Sequence, residues 1–133
     1  MPAFGTTSQK KLSECDAQLQ SLFNKVVEDF DCSIIDGFRD EIRQDEMFNS
    51  DPQRSQVKWP NGKHNSYPSM AVDVVPYPVD WNDTDRFYFF AGYVKGLAKC
   101  LGIDIRWGGD WDSDNQVGDE SFKDLPHYEL VLE

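Results

Sequence analysis

Only two histidines, His64 and His127, occur in a chain of 133 residues, and each stands near an acid in unusual surroundings. His64 lies in the polar stretch Gly62-Lys-His-Asn-Ser-Tyr-Pro-Ser69, which runs straight into Met70-Ala-Val-Asp-Val-Val75 and so places Asp73 in the middle of an apolar run. His127 opens the last apolar segment, and Asp124 precedes it by three residues. Neutral imidazole nitrogens and a carboxylate oxygen suit zinc, and a catalytic zinc typically keeps three protein ligands with the fourth position left to water. Proton transfer at such a site also calls for a carboxylate that is not a ligand, and Asp124 is placed for that role. A plainer reading of each residue exists: His127 as a core histidine, His64 as an exposed loop residue, Asp124 as the cap of a turn before Pro126.

The elements that must position these groups are legible as hydrophobic periodicity. From Ser8 to Phe30 the residues Leu12, Cys15, Leu19, Leu22, Phe23, Val26, Val27 and Phe30 recur at helical steps, which predicts one long amphipathic helix. Cys32–Asp36 reads as a strand ended by Gly37, and residues 40–48 as a short helix capped by Asp40. Asn49 to Pro68 is a long polar loop, a type of segment that is usually functional when ordered. Met70–Val75, flanked by Pro68 and Pro76, reads as a central strand. A third helix starts at the capping run Asn82-Asp-Thr-Asp85 and stops at Gly102; strands follow at Ile103–Trp107 and His127–Leu132. The last two strands are joined by a loop instead of a crossover helix, so the expected class is α+β, with a small, mainly antiparallel sheet packed with about three helices.

Composition excludes several functions. Thirteen Lys and Arg against 24 Asp and Glu give a net charge of −11, which repels nucleic acid phosphates. No stretch is long and apolar enough to insert in a membrane, and the N-terminus has no signal-like apolar region. Cys15, Cys32 and Cys100 are an odd set without a close pair and read as reduced core residues.

The series His64…Asp73…Asp124-x-x-His127 resembles the zinc peptidases that include the VanX-type and VanY-type D-Ala-D-Ala peptidases and the L-alanyl-D-glutamate peptidases that bacteriophages use as endolysins. Those commonly show S-x-H-x-x-G-x-A-x-D, followed near the C-terminus by an acid, two residues and a histidine. Gly37-Phe-Arg39, Arg106-Trp-Gly-Gly-Asp-Trp111 and His127-Tyr-Glu-Leu130 look like the phage branch in particular. The chain departs from the motif in Gly62 where serine is usual, in Ser69 where glycine is, and in a longer spacing between His64 and Asp73.

The resemblance implies a Hedgehog/D-Ala-D-Ala peptidase-like fold and one zinc per chain, held by His64, Asp73 and His127. It implies Asp124 as general base and Arg39 facing the substrate; the simpler alternative for Arg39 is a surface ion pair with Asp36 or Asp40. The implied partner is the stem peptide of bacterial peptidoglycan, cut by a monomeric endolysin. The expected enzyme is a single peptidase domain, 1–133, without a wall-binding domain, and is expected to stay in the host cytoplasm until lysis. D-Ala-D-Ala carboxypeptidase or dipeptidase activity is the alternative within the class, and a non-catalytic virion module that holds peptidoglycan is the alternative outside it. Glu129 shares a strand face with His127 and is expected to orient its ring. Tyr67 and Trp111 are the expected substrate neighbours among the aromatic residues. Asp110, Asp112 and Asp114 open an acidic loop running to Asp119 that lacks the glycine and glutamate of an EF-hand; calcium there is an expectation to be weighed against a merely solvated loop.

Overall fold

The apolar rhythm of the N-terminal segment does form helix, but two helices instead of one. In the computed structural model, which describes residues 2–118 and 122–131, α1 spans Thr6–Ser13 and α2 spans Ala17–Asp29. Between them the backbone of Glu14 and Asp16 pairs with Ser69, with Ser69 N–H donating to Glu14 O and Asp16 N–H to Ser69 O, each at 2.8 Å. Asp16 then caps α2 through the Gln18 N–H. Long-range pairing thus breaks a periodicity that runs unbroken in sequence.

The remaining elements are β1 (Cys32–Asp36), α3 (Glu41–Asn49), a 3-10 turn (Lys63–Asn65), β2 (Ala71–Pro76), α4 (Thr84–Leu101), β3 (Ile105–Trp107) and β4 (His127–Leu130). Asp40 caps α3, Asp83 caps α4, and Gly102 ends α4 in the left-handed conformation with φ 71°. Leu132, the expected end of the last strand, lies outside the described residues. The sheet order is β1-β2-β4-β3 with every pair antiparallel, so β2 is central as expected. The class is α+β, with four α-helices among the described residues where about three were expected.

Alternation along the strands separates core from site. Ile34, Val72, Val74, Tyr128 and Leu130 join Leu19, Leu22, Phe23 and Val26 of α2 and Phe90 and Val94 of α4 in one apolar core. Each such side chain contributes about 1.5–3 kcal/mol on burial. Asp73, His127 and Glu129 occupy the alternate positions, with Asp73 directly opposite His127 across β2 and β4. A register shift between Ile34 and Asp36 also sets Asp36 opposite Asp73, a bulge beside the site. Cys15 and Cys32 are buried as expected, but Cys100 is exposed on the outer side of α4. No helix among the described residues is long and apolar enough to cross a membrane.

Candidate metal centre and cleft

Each of the two imidazoles is oriented through one ring nitrogen, which leaves the other free. His64 Nδ1 lies 2.8 Å from the Gly37 carbonyl; a carbonyl only accepts, so in neutral His64 Nδ1 carries the proton and the Nε2 lone pair faces inward. His127 Nε2 lies 2.7 Å from Glu129 Oε1, which by the same reasoning leaves the Nδ1 lone pair of His127 facing inward. Between them stands Asp73, whose Oδ2 accepts from Arg39 Nη2 at 3.3 Å.

The three inward atoms form a near-equilateral triangle. His64 Nε2 is 3.3 Å from His127 Nδ1 and 3.3 Å from Asp73 Oδ1, and His127 Nδ1 is 3.4 Å from Asp73 Oδ1. Tetrahedral ligands at zinc distances of about 2.0–2.1 Å stand about 3.3–3.4 Å from one another. Asp73 Oδ1 is fully buried and has no hydrogen-bond partner, an arrangement that costs free energy unless a cation meets that oxygen. His64, Asp73 and His127 therefore form a triad compatible with a metal ion.

Electrostatics point the same way, because the pocket favours positive charge. Burial pushes the Asp73 carboxyl up, but His64 and His127, whose ring nitrogens stand 3.3 and 3.4 Å from Oδ1, outweigh it and hold the group well below the usual carboxylate range. Burial likewise opposes charge on His127, and the neighbouring carboxylates of Asp73 and Glu129 overcome it, raising His127 to about 9.

Arg39 is buried and fully engaged. Its Nε and Nη2 each lie 3.0 Å from Asp36 Oδ2, its Nη1 donates to Gln44 Oε1 at 2.9 Å, and its Nη2 reaches Asp73. Asp36 is thus a partner of Arg39, but in a buried cluster instead of at the surface, and Asp40 is used as the α3 cap. Arg39 also lines the cleft beside the triad.

Gln44 was not legible as a site residue. It is the one fully buried side chain of α3, and its amide ties Arg39 Nη1 and Asn65 Nδ2 on one side to Ser55 Oγ and the Val57 carbonyl on the other. It thereby joins the turn carrying His64 to the loop that forms the cleft wall. Asn65 closes that turn by accepting from Gly62 N–H at 2.9 Å, and a Cβ on residue 62 would lie 2.7 Å from the same Asn65 oxygen. This explains glycine at 62 in place of the usual serine. No sequence signal marks Gln44, because a glutamine in a short helix looks like any solvated polar residue.

The triad opens onto a cleft of about 490 Å³ lined by Arg54, Lys63, Trp111, Phe122, Asp124 and Glu129 among others. The Trp111 ring lies 5.2 Å from the His127 ring, stacks on Phe122, and donates from Nε1 to the Phe122 carbonyl at 2.8 Å. Tyr67 is elsewhere: it is 70 % exposed, packs edge-on against Phe38, and does not line the cleft.

Asp124 stands at the cleft, its Oδ2 3.9 Å from His127 Nδ1, and its carboxylate makes no hydrogen bond among the described residues. Burial, and then the negative charge of Asp73, push its carboxyl up to about 6. Its backbone is fixed by Gly108, whose carbonyl accepts from Asp124 N–H at 2.9 Å while its own N–H donates to His127 O at 2.8 Å. A Cβ at residue 108 would come 2.0 Å from the Asp124 carbonyl, so only glycine allows this approach.

The acidic loop brings Asp110, Asp112 and Asp114 together as a second cluster of carboxylates. Asp110 is buried and already accepts from Lys95 Nζ at 3.4 Å and from the N–H groups of Asp114 and Asn115 at 3.2 and 2.9 Å. With its oxygens so used, the calcium expectation finds no support; Asp119, the expected end of that site, lies outside the described residues.

Comparison with known proteins agrees with this geometry. Residues 2–131 match the family model for phage L-alanyl-D-glutamate peptidases. The L-alanyl-D-glutamate peptidase of Escherichia phage T5 is 30 % identical over 142 aligned residues, covering 96 % of this chain and 97 % of the relative. The crystal structure of the Serratia marcescens L-Ala D-Glu endopeptidase ChiX superposes with a TM-score of 0.74 at 27 % identity, covering 98 % of this chain and 91 % of that one. A match over nearly the full length of the chain, with a relative's sequence and a solved fold in agreement, places it in the phage L-alanyl-D-glutamate peptidase family, and it is a peptidase.

Proposed function

We propose that the chain is a zinc-dependent endopeptidase that cuts the L-alanyl-D-glutamate bond in the stem peptide of bacterial peptidoglycan, acting as a phage endolysin. The carrying observation is the triad itself, in which two imidazoles of fixed tautomer and one unpartnered buried carboxylate oxygen converge at tetrahedral ligand spacing. His64, Asp73 and His127 would hold the zinc, which when bound supplies a Lewis acid that polarises a carbonyl and makes water more acidic. Asp124 accepts the proton of the attacking water and returns it to the departing amine. Arg39 fixes Asp73 through the second carboxylate oxygen, Glu129 fixes the His127 ring, and Trp111 closes the cleft wall against that ring. On this reading the whole chain is one monomeric peptidase domain, kept in the host cytoplasm until lysis releases it to the wall.

Metal analysis combined with turbidity loss of permeabilised cells tests the reading. Lysis abolished by a chelator and restored by zinc is expected; lysis indifferent to chelation would overturn it. Product analysis on purified muropeptides separates the bond assignments: an endopeptidase of this kind exposes a new N-terminal glutamate, whereas a D-Ala-D-Ala peptidase releases terminal alanine.

A further inference from the structure

A second cavity of about 510 Å³ adjoins the cleft, and the two share Arg54, Phe122 and Asp124 in their walls. Asp124 and Arg54 therefore face both cavities. Among the cations lining these cavities, Arg54 differs from the rest. Arg39 is committed to Asp36 and Asp73, Arg43 lies 3.6 Å from Asp36, Lys63 lies 3.2 Å from Glu129, and Lys123 donates to Tyr88 at 3.1 Å. The Arg54 guanidinium has no hydrogen-bond or ion-pair partner among the described residues, in a chain whose net charge is −11.

Its backbone, by contrast, is fixed. Arg54 N–H donates to Met47 O and to Ser50 Oγ, each at 3.0 Å, and the following residue, Ser55, is tied to Gln44. An exposed arginine on a pinned backbone at the edge of an acidic site presents a free planar fork, the geometry that binds a carboxylate through two hydrogen bonds.

Substrate chemistry supplies the carboxylate. On the proposed function, on which this inference rests, the residue leaving as the amine is a glutamate. Whichever of its two carboxyls forms the next peptide bond, the other remains free. That carboxylate lies within a few bonds of the nitrogen that Asp124 protonates, and Arg54 shares the wall with Asp124 on both sides. We infer that Arg54 is a specificity-determining residue that binds the free carboxylate of the glutamate on the amine side of the scissile bond.

The test uses zinc-loaded protein and two stem peptides, one with the free glutamate carboxylate and one with that carboxylate converted to carboxamide. Arg54→Gln is expected to lower kcat/KM on the carboxylate peptide by roughly 10- to 100-fold, mostly through KM, and to leave the carboxamide peptide nearly unchanged. Arg54→Lys, which keeps the charge without the fork, recovers part of the loss. Zinc content and thermal stability stay at wild-type values, since the side chain is exposed and unpaired. An equal loss on both peptides, or none on the carboxylate peptide, overturns the role of Arg54 while leaving the peptidase reading intact. Wild-type protein that cuts neither peptide at the alanyl-glutamate bond overturns that reading itself, and this inference with it.

Discussion

Among the described residues, two clusters that contain acids have potential ligand atoms within 4.8 Å of one another, and they are built on opposite principles. In the His64, Asp73, His127 triad every potential ligand is anchored through its second atom, by the Gly37 carbonyl, Arg39 and Glu129, so the first atoms remain available and converge. In the Asp110, Asp112, Asp114 loop the carboxylates turn onto their own backbone, and Asp110 is consumed as a local cap for Asp114 and Asn115. Proximity of acids does not make a site; acceptor capacity that is both oriented and unspent does. Asp124 belongs with the first cluster in this respect, because its carboxylate is held at the cleft, 3.9 Å from His127 Nδ1, and makes no hydrogen bond among the described residues.

The contrast breaks most sharply at a ligand. His64→Ala removes one corner of the triangle and leaves Asp73 facing a single imidazole, so metal should be lost on dialysis and lytic activity should fall by roughly three orders of magnitude or more. Metal content by mass spectrometry and turbidity loss measure both. Retention of stoichiometric zinc by this variant would show that convergence of the three atoms is not what holds the metal.

Asp124→Ala separates holding a metal from using it. Zinc content and melting temperature should match wild type, because no hydrogen bond among the described residues depends on the carboxylate, whereas kcat should fall roughly 100- to 10,000-fold. A variant retaining full activity would remove Asp124 from the proton-transfer role.

These outcomes also bear on what could be read in advance. The triad and Asp124 stood out because the chain spends its only two histidines beside an acid in an apolar strand and another before a proline. β1 and the Asp40 cap of α3 were legible because their signals are local. The break between α1 and α2 was not, since Leu12, Cys15 and Leu19 keep helical spacing across it and its cause, the pairing with Ser69, lies some fifty residues away. Anchoring of His64 by the Gly37 carbonyl was hidden for a related reason: a backbone oxygen has no residue identity to read. Tyr67 looked like a substrate neighbour because aromatic residues gather around the two long loops, but it packs edge-on against Phe38 and is exposed.

A smaller effect sharpens the anchoring half of the comparison. Glu129→Gln keeps size and burial but lets the amide present either its oxygen or its nitrogen to His127, so the ring loses its fixed tautomer. It also removes the charge that pairs with Lys63 at 3.2 Å. Zinc affinity should weaken roughly 10- to 100-fold, read by competition with a chromophoric chelator, with activity restored at saturating zinc. An unchanged affinity would mean that ligand orientation comes from the sheet alone.

The smallest effect on the metal belongs to the second cluster, and there the reading is structural. Asp110→Ala strips the acceptor from two backbone N–H groups and from Lys95, all near a side chain that is 1 % exposed. Leaving those donors without a partner should cost about 1–3 kcal/mol of folding stability, seen as a lower denaturant midpoint with an unchanged slope. Zinc content of the folded protein should stay at one per chain, because among the described residues no hydrogen bond or ion pair of the Asp110 side chain reaches the triad. Loss of triad metal in a variant that is still folded would mean that the acidic loop and the metal centre share one network, and that the division between spent and unspent carboxylates drawn from their hydrogen bonds is the wrong one.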